Sequence, residues 1–568
     1  MSKKEQTSFD HARFLRQTFR LQREASKEFH YVLRRAKGAA ADGQVDLAVR
    51  WCIHGATLAG LSNPGFFYSH EMEQLLSDIG RSRLTSADKA LHVSGEFKRF
   101  LHVLTVAYES GGHTRAVSRW IDTCTRHAPG EQHSILLSTQ NESPIPAWLT
   151  ESVQKSGGEI IDLAMGLSLL EKAAQMRFRS TEFDAIILHI HPNDPLPNIA
   201  FCDTSVPVLF FNHADHMFSL GTDVAKVIAD VRPIGHDLSI RFRSPAARKI
   251  IVPLPLVTSG AASCAKAEAR KKLGLPADAL IALTVGEPYK FSPMYGYSFP
   301  ALIQSLCAAN PRVIIAAVGL SASAPFPELK RMTGGRFLPV GLIKDSDILD
   351  LYYCAADIYL DSYPCTSLTS VLDAALRGLP VQRFRNPYQP LMWCDDPGID
   401  SVSCPATTQE EYVQGALEWL AIPDDKRSEL GDQFRTAVSR EHCGESWKCK
   451  WLDPAIQALN LPCDDEQHRA RSEPPTGEFS YGGFGRAYWA TDWPASMFVA
   501  EAILSTEHLP RSIRISGLLH SIKPLLLDTA GDGMLRKRVW MFARLLEPFL
   551  RRRILAAPRK LRSAISRS

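Results

Sequence analysis

Nowhere in these 568 residues do ~18 apolar residues run together, so no transmembrane helix is expected. The opening MSKKEQTSFDHARF is polar and charged and gives a signal peptide no apolar stretch to use. The twelve cysteines include no CxxC pair and no dense spacing. In a chain long enough to build a large core, this argues against a disulfide framework and for free thiols in a reducing cytoplasm. A basic body is missing too. From Arg536 to Arg567 eleven Lys/Arg face one acid, Glu547, a contribution of +10 that leaves −6 of the net +4 for everything else. A face that gripped phosphates along a duplex would make the body itself basic, so no nucleic-acid partner is expected.

What is present is a globular composition, 45% hydrophobic and 22% charged, in a chain too long for one core. Residues 1–97 read as a helical region, with apolar residues at three- and four-residue steps through Phe14, Leu15, Phe19 and Leu21, then Leu47, Trp51 and Leu58. Asn63-Pro64-Gly65 breaks that pattern. From 98 to 258 the period changes. LHVLTVAY (101–108), HSILLS (133–138), EIIDLA (159–164), DAIILHI (184–190), PVLFFN (207–212) and KIIVPLPL (249–256) read as buried strands, several separated by amphipathic segments. From 259 to 460 a second series follows, with ALIALTVG (279–286), RVIIAAVG (312–319), RFLPVG (336–341), DIYLD (357–361) and LPVQRF (379–384). Short continuous apolar strands alternating with helices predict parallel sheets covered on both faces. The expected fold is α/β with two doubly wound Rossmann-like domains, the ligand lying at the carboxyl ends of their strands. Residues 461–568 read as a linker and a basic helical extension.

Two loops carry the chemistry. Asp361-Ser-Tyr-Pro-Cys-Thr-Ser-Leu-Thr369-Ser370-Val-Leu-Asp373 runs from a strand end through hydroxylic residues into a helix. A helix N-terminus offers N–H groups and the positive dipole end to a diphosphate, and Asp373 lies where a carboxylate could hold ribose hydroxyls. Thr369 and Ser370 could equally serve only as helix caps. In the first domain Gly111-Gly112-His113-Thr114 follows the first strand and opens a helix. Small residues there let backbone N–H groups approach a ligand, and His113 could act as base or hydrogen-bond donor.

The segment LDSYPCTSLTSVLDAALRGLPV resembles the donor-binding segment of the O-linked N-acetylglucosaminyltransferase and SPINDLY group, and more loosely other GT-B transferases. The resemblance implies that Thr369 and Ser370 hold the donor diphosphate and Asp373 the ribose. Gly286-Glu-Pro-Tyr289-Lys290-Phe-Ser-Pro293 is similar to that family's Tyr-Lys loop, which implies that Lys290 contacts the leaving phosphate. A fixed ammonium in a dry cleft would stabilise the charge that grows there. The implied activity is an inverting, metal-independent transfer from a nucleoside-diphosphate sugar, a UDP-sugar favoured, to a hydroxyl of a glycan, a lipid-linked saccharide or a protein. The sugar nucleotide is a substrate, and no cofactor or metal is called for. His113 is the candidate for handling the acceptor proton. Two departures stand out: the family's histidine before the paired hydroxyls is Leu368 here, and no array of 34-residue tetratricopeptide repeats is present.

His191, His213, Asp215 and His216 cluster with His189 at two strand ends. They read as an acceptor pocket or structural hydrogen bonds ahead of a zinc site, since no metal-spacing motif accompanies them. Asp345-Ser346-Asp347 matches the DxD of metal-dependent transferases, but its place before ILDLYYCAA reads as a helix cap. The basic segment 534–562 fits an anionic membrane surface, which would make the protein cytoplasmic and peripheral, or a helix packed on a partner or on the acidic body. The rival functions are a GT-B nucleotide-sugar epimerase and an inactive scaffold.

Overall fold

The computed structural model describes residues 11–462, apart from 86–95, 110–111, 141–142, 258–263, 322–325 and 390. The linker from 463 onward and the basic tail 534–562 lie outside the described residues.

Seven strands build the first sheet: β1 (Arg99–Leu104), β2 (Gln132–Leu137), β3 (Ile160–Asp162), β4 (Ala185–His189), β5 (Val208–Asn212), β6 (Val227–Asp230) and β7 (Arg248–Ile251). All pairings are parallel, in the order β3-β2-β1-β4-β5-β6-β7. Five more form the second sheet: β8 (Leu280–Val285), β9 (Val313–Val318), β10 (Phe337–Gly341), β11 (Ile358–Leu360) and β12 (Val381–Gln382). Their order, β10-β9-β8-β11-β12, repeats the same winding. This is the two-Rossmann architecture expected from the strand pattern, the GT-B arrangement that the resemblance implies. Each chain half runs outward in one direction, returns, and continues on the other side of its first strand. The reversal leaves a crevice between β1 and β4 in one sheet and between β8 and β11 in the other, at the strands' carboxyl ends.

One strand escaped the pattern. β6 is only Val-Ile-Ala-Asp, fully buried between β5 and β7, too short for its apolar run to stand out from its flanks. The N-terminal helices are His11–Ala41, Val45–Ser62 and His70–Arg83. The second ends where Asn63 turns left-handed (φ 42°), its side-chain oxygen accepting from Gly65 N at 3.1 Å. These helices share one core with the first sheet: Phe29, Trp51, Leu58 and Met72 pack in a cluster with Val103, Ile186, Leu188 and Phe210. The opposite face of that sheet is covered by helix Gly112–His127 and by the last described helices. Those last helices follow the second sheet in sequence but return to the first. Trp447 is fully buried there, donates Nε1–H to Pro253 O at 2.7 Å and meets Trp120 edge-on at 5.6 Å.

No disulfide joins any two of the eleven described cysteines. Among the described residues no helix is long and apolar enough to cross a membrane.

Candidate functional site

The loops that leave the two switch points meet across a cavity of about 250 Å³. Gly112, His113, His213, Asp215, His216 and Arg232 line it from the first domain. Tyr289, Lys290, Thr366, Leu368, Thr369 and Met392 line it from the second. The walls approach closely: a Cβ on Gly112 would sit 3.0 Å from Thr369 Oγ1, so glycine is what lets the two helix starts face one another. Gly111 lies outside the described residues.

On the second domain's side, Lys290 sits in a single 3₁₀ turn, Pro288–Phe291, just after β8. The turn is stitched to the loop after β11 from both sides. Lys290 Nζ donates to Thr366 O at 3.4 Å, and Cys365 N donates to Lys290 O at 3.2 Å. The same loop is held from within by Asp361, whose Oδ1 accepts from Ser367 N (2.9 Å) and Ser367 Oγ (2.8 Å). Burial pushes the Asp361 carboxyl up to about 6, while the Ser367 hydrogen bonds and the Lys290 charge pull the other way. Helix Thr369–Leu376 then begins with Leu368 at its N-cap and no side-chain cap. Thr369 and Ser370 are its first two residues rather than its cap, so neither hydroxyl caps the helix, which opens at the cavity wall. Of the pair, Thr369 lines the cavity. Asp373, one turn on, is engaged across the domains by Arg119 Nη2 at 3.2 Å, with Arg377 at 4.0 Å.

On the other wall, His113 Nε2 donates to the carbonyl of His189 at 2.8 Å. That bond fixes the tautomer and leaves Nδ1 buried with no hydrogen-bond partner among the described residues. Burial, with His191 nearby, pushes the His113 imidazole down to about 4, against the pull of the His189 carbonyl. The His213 ring lies edge-on to His113 at 4.4 Å and is also held well below the usual histidine range, first by burial and then by His113 and His191. Both rings are therefore neutral lone-pair donors at pH 7. The sign for stability follows. His113 has a lower pKa folded than unfolded, so its contribution is present above about pH 6.5 and is lost as pH falls through about 4. Its resonance, identified by its loss in His113→Gln, is expected to titrate near pH 4. Titration near the ordinary histidine value would mean a solvated ring.

The acceptor-pocket candidates separate. His213, Asp215 and His216 reach the cavity, whereas His191 does not line it and stacks on Tyr108 at 5.8 Å. Asp215 is 1% exposed and both its oxygens are taken by Arg232, at 2.8 Å each. Burial pushes its carboxyl up, but Arg232 and His216 outweigh this and hold it at about 2. Arg232 also donates to Leu391 O at 2.6 Å and to Trp393 O, so this pair ties the first domain to the second. Gly235 is required beneath it: a Cβ there would lie 2.2 Å from Asp215 Oδ2. Asp345 accepts from Asp347 N (2.8 Å) and Ile348 N (3.4 Å) at the start of helix Ser346–Ala355. Sequence reasoning missed Arg119, Arg232 and Thr366. No local motif marks the two arginines, because their partners lie 254 and 17 or more residues away.

No protein-family description matches this chain, and neither does any curated protein. Solved structures that resemble it include an O-GlcNAc transferase mutant from Thermobaculum terrenum, with TM-score 0.48 and 15% identity over 76% of this chain and 84% of that one. Anabaena HepE in complex with UDP and glucose gives TM-score 0.47 and 14% identity over 64% and 99%. A putative UDP-N-acetylglucosamine 2-epimerase from Listeria monocytogenes gives 0.39 and 12% over 66% and 100%.

Proposed function

We propose that this chain is a glycosyltransferase that takes a sugar from a nucleoside diphosphate, UDP favoured, and transfers it to a hydroxyl with inversion and without a metal. The observation that carries this reading is the convergence on one cavity of Lys290, Thr366 and an uncapped helix N-terminus from one domain with Gly112, His113 and His213 from the other. The donor wall suits an anion: an ammonium and helix N–H groups can neutralise a diphosphate as its charge grows. The facing wall suits a nucleophile: His113 and His213 are neutral imidazoles with which an acceptor O–H can hydrogen-bond as it attacks the anomeric carbon. HepE has also been solved in complex with UDP-glucose, a donor of the class proposed here. The acceptor is a glycan, a lipid-linked saccharide or a protein side chain.

Calorimetric titration with UDP, GDP and their common sugars tests the reading. Selective binding of one nucleotide is expected, and a ligand at about 100 times its Kd should add roughly 2.7 kcal/mol of stability. A wild-type protein indifferent to every nucleotide would favour the scaffold alternative. Asp373→Asn is expected to weaken UDP about tenfold, the loss of one charge-assisted hydrogen bond to ribose. Unchanged affinity would leave Asp373 as a partner of Arg119 alone.

A further inference from the structure

A line of four histidines leaves the cavity and crosses the first sheet. His213 Nε2 lies 2.9 Å from His189 Nδ1, His189 Nε2 lies 2.9 Å from His102 Nδ1, and His102 Nε2 lies 3.0 Å from His133 Nδ1. Beyond them His133 Nε2 comes within 3.4 Å of Glu131 Oε2, an approach that falls short of hydrogen-bond geometry, and Glu131 Oε1 meets Lys448 Nζ at 3.2 Å. His102, His133 and His189 are at most 1% exposed. Strand register puts the three on one face: His102 pairs with Ile135 and Ile187, residues two removed from His133 and His189. That face is roofed by rings. Trp120 stands edge-on to His102 and His189, at 5.7 and 5.6 Å, and Phe100 stacks on His133 at 5.0 Å.

The geometry points to a proton relay in which His213 accepts the acceptor's hydroxyl proton and passes its own through His189, His102 and His133 to Glu131. This rests on the transferase reading and assigns it a base. Each neutral imidazole has one N–H and one lone pair, so all three ring-to-ring bonds form only if the four rings share a tautomer. An ionised Glu131 accepts and cannot donate. It therefore selects Nε2–H throughout and leaves Nδ1 of His213 bare in a ring that lines the cavity. His113 offers no such exit, since its second nitrogen ends on the His189 carbonyl.

The step balances. The hydroxyl O–H bond breaks as oxygen bonds the anomeric carbon, and its proton joins His213 Nδ1. The Nε2 proton of each ring moves to Nδ1 of the next, and that of His133 moves to Glu131. No ring ends charged, which matters because burial, the leading cause at each ring, holds all four below the usual histidine range. The proton returns by the same path to water in the emptied cavity. Cys124 also comes within metal-ligand reach of Glu131 and His133, but the Lys448 ammonium supplies the cation there.

Two measurements decide it. NMR of ¹⁵N-histidine-labelled protein at pH 7 should show His213, His189, His102 and His133 as neutral Nε2–H tautomers with couplings across the N–H···N bonds. A charged ring, or mixed tautomers along the line, would overturn the relay. With UDP-glucose and UDP-N-acetylglucosamine as probes, Glu131→Gln should lower kcat at least about tenfold with UDP affinity within about twofold. It should also turn a curved proton inventory, the mark of several protons in flight, into a linear one. A merely structural Glu131 would lower stability and nucleotide affinity and leave the inventory unchanged. An undiminished kcat in a variant that binds UDP would overturn the relay. A wild type that binds no nucleotide would remove the transferase reading and the relay's task, while the tautomers would still stand or fall by NMR.

Discussion

Lys290→Ala is expected to lower kcat by about 10²–10³, the loss that follows removal of one fixed group from a developing anion. The reason lies in where the ammonium is held. It is anchored to Thr366 O at the carboxyl end of β8, in a cavity shared with the helix that starts at Thr369. Charge on the leaving diphosphate is greater in the transition state and in free UDP than in the sugar nucleotide. UDP affinity should therefore fall more than UDP-sugar affinity, and kcat should fall with it. Titrations of both ligands alongside UDP-release rates check this. Equal weakening of the two ligands with kcat intact would make Lys290 a uniform binder and not a stabiliser of the leaving group.

Arg232→Ala should destabilise the protein by about 3–5 kcal/mol in urea unfolding, because it strands a buried carboxylate. Asp215 is 1% exposed, and the Arg232 guanidinium binds both its oxygens, with His216 Nδ1 at 3.2 Å and Arg243 on its carbonyl at 3.0 Å. Asp395, on the second domain 3.8 Å from Arg232, is pushed up to about 6 by burial, with Arg232 opposing that rise. The Asp215 pKa is lowered on folding, so the pair's stabilisation is present above about pH 3.8 and disappears as pH falls through about 2. Replacing both partners together, Arg232→Met with Asp215→Leu, should recover part of the loss, since no charge is then left buried. A loss under about 1 kcal/mol in the single variant would mean that the two domains separate in solution and let water reach Asp215.

Much of the architecture was legible because strands buried on both faces must be continuous in apolar residues. Ten of the eleven strand segments read from the sequence needed no more than that and their turn signals, and the eleventh, Leu379–Phe384, survives as the two-residue β12 with a bridge at Phe384. β6 was not read because four residues carry too little period to stand apart from Ala225 and Val231 on either side. The loops that carry Lys290, Thr369 and Asp373 were legible because each residue lies at a short offset from a strand end. The status of Asp215 was not. A carboxylate at a strand end reads alike whether it faces a substrate or an arginine from a neighbouring loop.

The sequence by itself determined two doubly wound halves and the loops in which an anion could be held, since these depend on residues close together in the chain. Only the tertiary structure decided which groups remain free to react. Arg119 meets Asp373, Arg232 bridges the domains, and His102 and His133, polar residues within largely apolar strands, fall into line with His189 and His213. Hydrogen bonds and ion pairs act over about 3 Å, and which atoms come that close is set by strand order and register, not by distance along the chain.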